Sequence, residues 1–303
     1  MALRIAFVGL PLAALLLLGD GHEVVYAGIC RKGAIGTRRL RASLPKGVVY
    51  VKPNLSAHAD KIRALSPDLV VSWFWTSRIP AEVRSAGRLG ALGVHPSLLP
   101  RHRGGDPYFA AIDAGDAVTG VTAHVLEEDY DTGDVLGRKE LAIEPSWSAW
   151  RLAKRLDRPS LALLREVVAA YAKGSPPRRE PQDPSLATAA PLLADDDLEL
   201  DFGLSAERLA RRVRAASPYP GAFFWLGDEV LTVVRAHAVG SVPEGVAVGE
   251  AYVGPDGVAV VRTAEGGLAL LEGRLAGDGD DDDETALDAD ALAALVLGAA
   301  SRG

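Results

Sequence analysis

The chain is poor in sulfur: its 303 residues include one cysteine, Cys30, and one methionine. A single thiol closes no internal disulfide and supports no cysteine-rich zinc site, which removes zinc fingers and secreted disulfide scaffolds and fits a reducing, cytoplasmic setting. Long apolar runs are scarce as well. Arg4 followed by Ile5 to Leu18 imitates a secretory leader, but no small-residue cleavage pattern follows. Gly19, Asp20 and Gly21 lead instead into a strand-like run, Glu23 to Ala27. No uninterrupted apolar stretch of about 18 residues occurs elsewhere, so no membrane partner is expected. Positive charge is in deficit, 33 Lys and Arg against 40 Asp and Glu, a formal charge of −7. That balance argues against broad phosphate-driven binding, and no DNA partner is expected, although it leaves room for a local basic patch. Also missing is a Gly-x-Gly-x-x-Gly turn: the first corner reads GLPLAALLLLG, a poor seat for a dinucleotide.

What is present is ordinary globular composition, 48% hydrophobic and 24% charged, with length enough for two domains. Leu3 to Val8 reads as a buried parallel strand, Pro11 to Leu18 as a short helix begun by proline, and Glu23 to Ile29 as the next strand. Arg31, Lys32, Arg38, Arg39 and Arg41 follow in a loop-like stretch. Ser56 is expected to cap a helix from Ala57 to Leu65, Leu69 to Phe74 to be a strand, Pro80 to Ala86 a helix, and Leu92 to His95 a short strand. Pro107 to Ala114 reads as helical, and Trp147 to Lys173, with Pro159 inside it, as a helix pair or a kinked helix. The alternation implies an α/β, Rossmann-like, mostly parallel sheet with ligands at the carboxyl ends of its strands.

The segment GSPPRREPQDPS, Gly174 to Ser185, has linker composition, so the expected division is residues 1–173, a linker at 174–190, and 191–303. Beyond it, Ser205 should cap a helix to about Ala215. The valine-rich runs Ala222 to Trp225, Val230 to Ala236, Val258 to Arg262 and Leu268 to Leu271 then read as a smaller β-barrel-like (OB-like) domain. The acidic run Asp278 to Glu284 lacks the glycine a calcium loop needs at position 6; it reads as a solvated loop, and no metal site is expected. Asp288 to Leu297 reads as a closing helix.

The block with chemical content is GVHPSLLPRHRGGDPYFAAIDAGDAVTGVTAHVLEEDYDTGD, Gly93 to Asp134. His95 stands just past a strand, where α/β enzymes keep ligands, and a loop crowds Glu127, Glu128, Asp129 and Asp131 beside Thr132 and Gly133. A carboxylate near an imidazole raises its pKa and orients it, as a general base requires. Taken alone, a histidine after a strand is more often structural than catalytic, and an acidic loop is more often a solvated turn.

The wording HPSLLPRHRG followed by TGVTAHVLEEDYDTGD resembles the folate-dependent formyltransferases, the family of the methionyl-tRNA and amino-sugar N-formyltransferases. Asp131 follows His95 by 36 positions, similar to that family's spacing between its catalytic histidine and aspartate. Ala216 to Ala236, ASPYPGAFFWLGDEVLTVVRA, is similar to the segment opening the family's C-terminal barrel. LSPDLVVSWFWTSRIP, Leu65 to Pro80, resembles the strand and loop beside the folate pocket.

The resemblance implies a formyltransferase domain over 1–173 and N10-formyltetrahydrofolate as donor. It also implies a primary amine as acceptor, His95 stabilising the intermediate or taking a proton, and Asp131 orienting the imidazole. The folate would lie against Trp73, Phe74, Trp75, Ile79, Leu126 and Tyr130, whose aromatics read equally well as packing. Arg103, Gly104 and Arg212 are the acceptor-binding candidates.

Two departures stand out. Gly93 occupies the position where the family pattern has asparagine, and losing such a donor costs about 2.7–4 kcal/mol of transition-state stabilisation; Ser97, Ser72 or a water would have to replace it. This leaves open a second class of function, a catalytically impaired relative that binds folate or nucleotide. The first helix also looks shorter than the family's.

For the acceptor, Arg31, Lys32, Arg38, Arg39 and Arg41, together with Arg208, Arg211, Arg212 and Arg214, suit a tRNA stem. They equally suit the diphosphate of a nucleotide-linked amino sugar. The net negative charge and acidic tail favour the small nucleotide-sugar or similar amine acceptor, with tRNA the alternative.

Overall fold

The computed structural model describes residues 1–227, 229–275 and 284–300. Arg4–Gly9 (β1), Glu23–Ile29 (β2), Val49–Val51 (β3), Leu69–Trp73 (β4) and Ala91–His95 (β5) form parallel pairs. Val118–Val125 (β6) and Val135–Ala142 (β7) then continue the sheet antiparallel, giving the order β3-β2-β1-β4-β5-β6-β7. Ile5, Phe7, Leu69 and Val71 are fully buried, the near-continuous apolar pattern of strands covered on both faces. The α/β, mostly parallel expectation is met.

Between the strands run Pro11–Gly19 (α1), Thr37–Ser43 (α2), Ala59–Ala64 (α3), Ala81–Arg84 (α4), Pro107–Ala114 (α5) and Ala149–Ala172 (α6). Two local expectations need correction, and a third narrows from a helix pair or a kinked helix to one helix. Arg38, Arg39 and Arg41 stand on α2 rather than in a loop. Ser56 does not cap α3; the side chain of Asn54 accepts from the Ala57 amide at 3.2 Å, and the chain turns there before the helix begins. The stretch around Pro159 is one helix, α6, whose residues Leu156, Leu163, Leu164, Val167 and Val168 are buried.

The chain divides into two compact units. The first comprises Met1–Pro107, Val118–Ala142 and Lys154–Pro191, the second Tyr108–Ala117, Ile143–Ala153 and Leu192–Gly303. The proline-rich stretch after α6 therefore packs with the first unit. Glu180 bridges Val135, and Ala189 bridges Arg103.

In the second unit Ser205 caps Ala206–Ala216 (α7), accepting from the Arg208 amide at 3.4 Å. Ala222–Leu226 (β8), Glu229–Val239 (β9), Ala251–Val253 (β10), Ala259–Arg262 (β11), Gly267–Leu275 (β12) and Thr285–Leu287 (β13) pair antiparallel. Their order is β10-β11-β12-β9-β8, with β13 on β12, and Ala289–Ala300 (α8) follows. Among the described residues β8 and β10 do not pair, so the barrel-like domain is an open sheet. Its core gathers Leu209, Val213, Phe224, Leu231, Leu270 and Leu292. Of the acidic run, only Glu284 lies within the described residues, where it pairs with Arg274 at 2.5 Å. No helix among the described residues is long and apolar enough to cross a membrane.

Candidate active site

His95 is the last residue of β5, at the carboxyl end of the parallel strands, and its side chain is 7% exposed. The turn after it is pinned internally. The Thr122 hydroxyl donates to Ser97 O at 2.7 Å and accepts from the Leu99 amide at 3.0 Å, while the buried Ser97 hydroxyl donates to Arg101 O at 2.6 Å. Ser97 is therefore committed to its own turn and is not the replacement for a missing asparagine amide.

Asp131 comes from the β6–β7 connection with φ +57°, a left-handed conformation rare outside glycine. Such strain persists only where surrounding contacts hold it. Here Gln182, from the proline-rich stretch, donates to Asp131 O at 2.8 Å and to Gly133 O at 2.7 Å. The side-chain oxygen of Gln182 accepts from Arg103 at 3.2 and 2.7 Å. The Asp131 carboxylate thereby comes to rest with Oδ2 at 3.3 Å from His95 Nδ1 and 3.0 Å from the Gly104 amide that donates to it. Oδ1 faces a second histidine, His124 of β6, whose Nε2 is 3.5 Å away. Gly104 has φ +121°, and a Cβ there would stand 2.5 Å from Ala190 O, so this amide reaches Asp131 only from a glycine.

The other nitrogen of each ring meets a main-chain carbonyl: His95 Nε2 donates to His102 O at 2.8 Å, and His124 Nδ1 donates to Val125 O at 2.9 Å. Burial pushes the His124 pKa below its ordinary value, against the upward pull of Asp131, with His95 and Arg103 adding to the depression.

The expected folate wall divides. Trp75, Ile79 and Leu126 converge on one hydrophobic cluster with Val83 and Ala91. Trp75 Nε1 is buried and has no hydrogen-bond partner among the described residues. Trp73 is different: it is 3% exposed and its Nε1 donates to Ser160 of α6 at 2.8 Å, which makes it part of the packing under the sheet. Phe74 meets the Trp73 ring edge-on at φ +59°. Tyr130 is half exposed, with the Arg78 guanidinium 5.6 Å from its ring and 3.7 Å from Asp129.

Of the acceptor candidates, Arg103 and Gly104 are engaged in holding Asp131. Arg212 belongs to the other unit, where it and Arg208 each reach the buried Asp113 at 2.8 Å. Those arginines neutralise a carboxylate instead of standing free.

Residues 38–168 match the formyl transferase family and residues 193–279 its formyl transferase C-terminal domain. The methionyl-tRNA formyltransferase of Myxococcus xanthus is 36% identical over 282 residues, 89% of each chain. That of Halorhodospira halophila is 37% identical over 290 residues, 91% of this chain and 93% of the other. This chain belongs to the formyl transferase family. Its fold is also that of HypX from Aquifex aeolicus, solved with tetrahydrofolic acid, at TM-score 0.64 and 19% identity, covering 98% of this chain and 48% of that one.

In this formyltransferase Gly93 lies on β5 between Ser72 of β4 and His124 of β6. A Cβ built on it would meet Leu126 Cδ2 at 3.0 Å and Ser72 Cβ at 3.5 Å, so Leu126 occupies the room a larger residue would need. Sequence reasoning missed His124 and Gln182 as neighbours of Asp131, and it gave Gly104 an acceptor-binding role where its amide donates to the Asp131 carboxylate. His124 carried a signal, a histidine seven positions before Asp131 inside the family-like motif; Gln182 carried none.

Proposed function

We propose that this formyltransferase transfers the formyl group of N10-formyltetrahydrofolate to the amine of methionyl-tRNA. The observation that carries this reading is the 36–37% identity, over about nine-tenths of both chains, to enzymes named for that reaction. The amino-sugar acceptor favoured by net charge gives way, because net charge averages over cations that are locally concentrated. Arg31, Lys32, Arg38, Arg39 and Arg41 are all exposed, and none forms a salt bridge among the described residues. Such a patch is suited to phosphate neutralisation.

The donor fits the residues present: an apolar wall of Trp75, Ile79 and Leu126 carries one orphaned buried N–H, a combination suited to a flat heterocycle with acceptor atoms. Once bound, the donor supplies a formyl carbon to which the amine adds; the new C–N bond forms, the bond to N10 breaks, and one proton passes from the amine to N10. In this reading His95 takes and returns that proton, and Asp131 orients its ring. Both His95 nitrogens are engaged, so reaching a substrate atom means exchanging its contact with His102 O.

The test supplies formyl donor with either charged initiator tRNA or a panel of amino-sugar nucleotides, and follows formyl transfer at several salt concentrations. Formylated tRNA is expected. Replacing Arg38 and Arg41 by Gln should weaken tRNA use and flatten its log–log salt dependence by roughly one unit for each phosphate no longer neutralised. Transfer to a sugar nucleotide alone would reject the tRNA reading, and donor binding without transfer to any amine would favour an impaired relative.

A further inference from the structure

One hydroxyl near His95 has no task in the fold. β4 is apolar and buried from Leu69 to Trp73 except at Ser72, which is itself only 7% exposed. The Ser72 hydroxyl has no hydrogen-bond partner among the described residues and, unlike Trp75 Nε1, it is not closed off from water. A polar group inside an apolar strand calls for a partner, and this one is placed to find it in a bound molecule. The strand registers set Val8, Ser72, Gly93 and His124 side by side in one row across β1, β4, β5 and β6. Side chains alternate along a strand, so this row shares its face with His95, two positions beyond Gly93. It shares that face also with Val70 and Ala91, two positions back, which belong to the apolar cluster of Trp75, Ile79 and Leu126. Ser72 therefore lies between the wall suited to the donor's heterocycle and the His95–Asp131 pair. A Cβ on Gly93 would stand 3.5 Å from Ser72 Cβ, while Leu126 Cδ2 closes over Gly93 at 3.0 Å.

The other side-chain donors around His95 are committed. The Ser97 and Thr122 hydroxyls donate within the turn after β5, and Arg103 is held on Gln182. Both nitrogens of His95 and of His124 face Asp131 or a main-chain carbonyl. We propose that Ser72 is a further catalytic residue for formyl transfer: its hydroxyl donates to the formyl oxygen of the bound donor and stabilises the negative charge that gathers there. As the amine adds, its lone pair forms the new C–N bond and the carbonyl π pair moves onto oxygen. That pair returns to the carbonyl as the bond to N10 breaks, and the one proton lost by the amine ends on N10. Ser72 keeps its own proton throughout, and nothing is oxidised or reduced. A hydrogen bond aimed at this oxygen strengthens as the charge develops, so it acts on turnover more than on binding. The oxygen has more than one lone pair, so Ser72 fills one place and a donor added at position 93 would fill another.

The inference rests on the formyl-donor reading, and its test includes readouts that need no acceptor. The full chain is loaded with N10-formyltetrahydrofolate carrying carbon-13 in the formyl group, and the formyl carbonyl band is followed by infrared difference spectroscopy. A hydrogen bond weakens the carbonyl bond, so the band should lie lower in the parent than in Ser72→Ala. Donor affinity, measured by calorimetry, should fall by less than about tenfold in that variant. Urea unfolding of the free variant should match the parent's or slightly exceed it, because an unpaired hydroxyl contributes nothing to the fold. With an amine present, kcat should fall about a hundredfold in Ser72→Ala. Ser72→Cys, which fills the same space with a feebler donor, should fall nearly as far. A packing role predicts the reverse, a parent-like Cys variant and an Ala variant that unfolds earlier. That ranking, or a carbonyl band at the same position in the parent and in Ser72→Ala, would overturn the proposal. If no amine is formylated, the function reading fails while the infrared comparison still decides whether Ser72 contacts the formyl oxygen.

Discussion

Gly93 offers the sharpest quantitative test of the site. Replacing it by Asn places a Cβ 3.0 Å from Leu126 Cδ2 and 3.5 Å from Ser72 Cβ. Relaxed carbon–carbon contacts lie near 3.5–4.0 Å, so Leu126 must retreat by about 0.5–1 Å while Ser72 stays put. Leu126 is only partly buried, and its terminal methyl can move without shifting backbone. The cost should sit at the low end of overpacking, about 1 kcal/mol out of a usual 1–3. A double-mutant cycle with Leu126→Ala, read by urea unfolding, should return a favourable interaction of similar size, since the smaller residue removes the collision.

Catalytically, the added amide restores the side-chain donor that the family pattern places beside the histidine. Such donors contribute about 2.7–4 kcal/mol, so kcat should rise by about a hundred- to a thousandfold in a formyl-transfer assay. A stability loss that Leu126→Ala fails to relieve would refute the steric argument. An unchanged kcat in the relieved double variant would show that another group already serves the developing charge.

Alanine at His95 or at Asp131 should each lower turnover by at least about a hundredfold while leaving thermal unfolding near the parent's, and parent-like turnover in either variant rejects their roles. In the second unit, Asp113→Ala leaves the Arg208 and Arg212 guanidinium groups without their shared carboxylate; a loss of roughly 3 kcal/mol in denaturant unfolding is expected, and less than 1 would show the cluster to be solvent-compensated. His22 accepts a hydrogen bond from the Leu3 amide through Nδ1, and burial holds its pKa below the ordinary value. The unfolded chain thus binds the proton first as pH drops below about 6.5, and stability falls with it. Urea midpoints at pH 7.5 and 5.5 should differ, and His22→Asn should narrow the gap; an unchanged gap would locate the dependence elsewhere.

Much of this was legible in the residues. The apolar runs around Ile5, Val24 and Leu69 announced buried parallel strands, and α5 fell at Pro107–Ala114 as its opening proline suggested. His95 and Asp131, 36 positions apart, do meet. What escaped lacked a local pattern. In α2 only Leu40 is buried, so TRRLRAS shows no helical periodicity, and β3 is three residues long. Trp73 looked like a pocket aromatic because a sequence does not reveal which face of β4 meets Ser160. His124 drew no notice in the sequence, because nothing local to it shows that the fold sets its ring against the Asp131 carboxylate. The arginines of α7 looked like a phosphate grip because Asp113, nearly a hundred positions earlier, is invisible as their counter-ion.

The two amide hydrogens of Gln182 have a practical consequence for engineering. A recombinant hybrid that joins the front half of this chain to the rear half of a relative would ordinarily be spliced in the proline-rich stretch, as though any tether would serve. Cutting there would exchange the side chain that keeps the strained peptide at Asp131 in place, and the hybrid would fold with its acid loosely held. The seam belongs after Pro191, so that Gln182 travels with the loop it fastens.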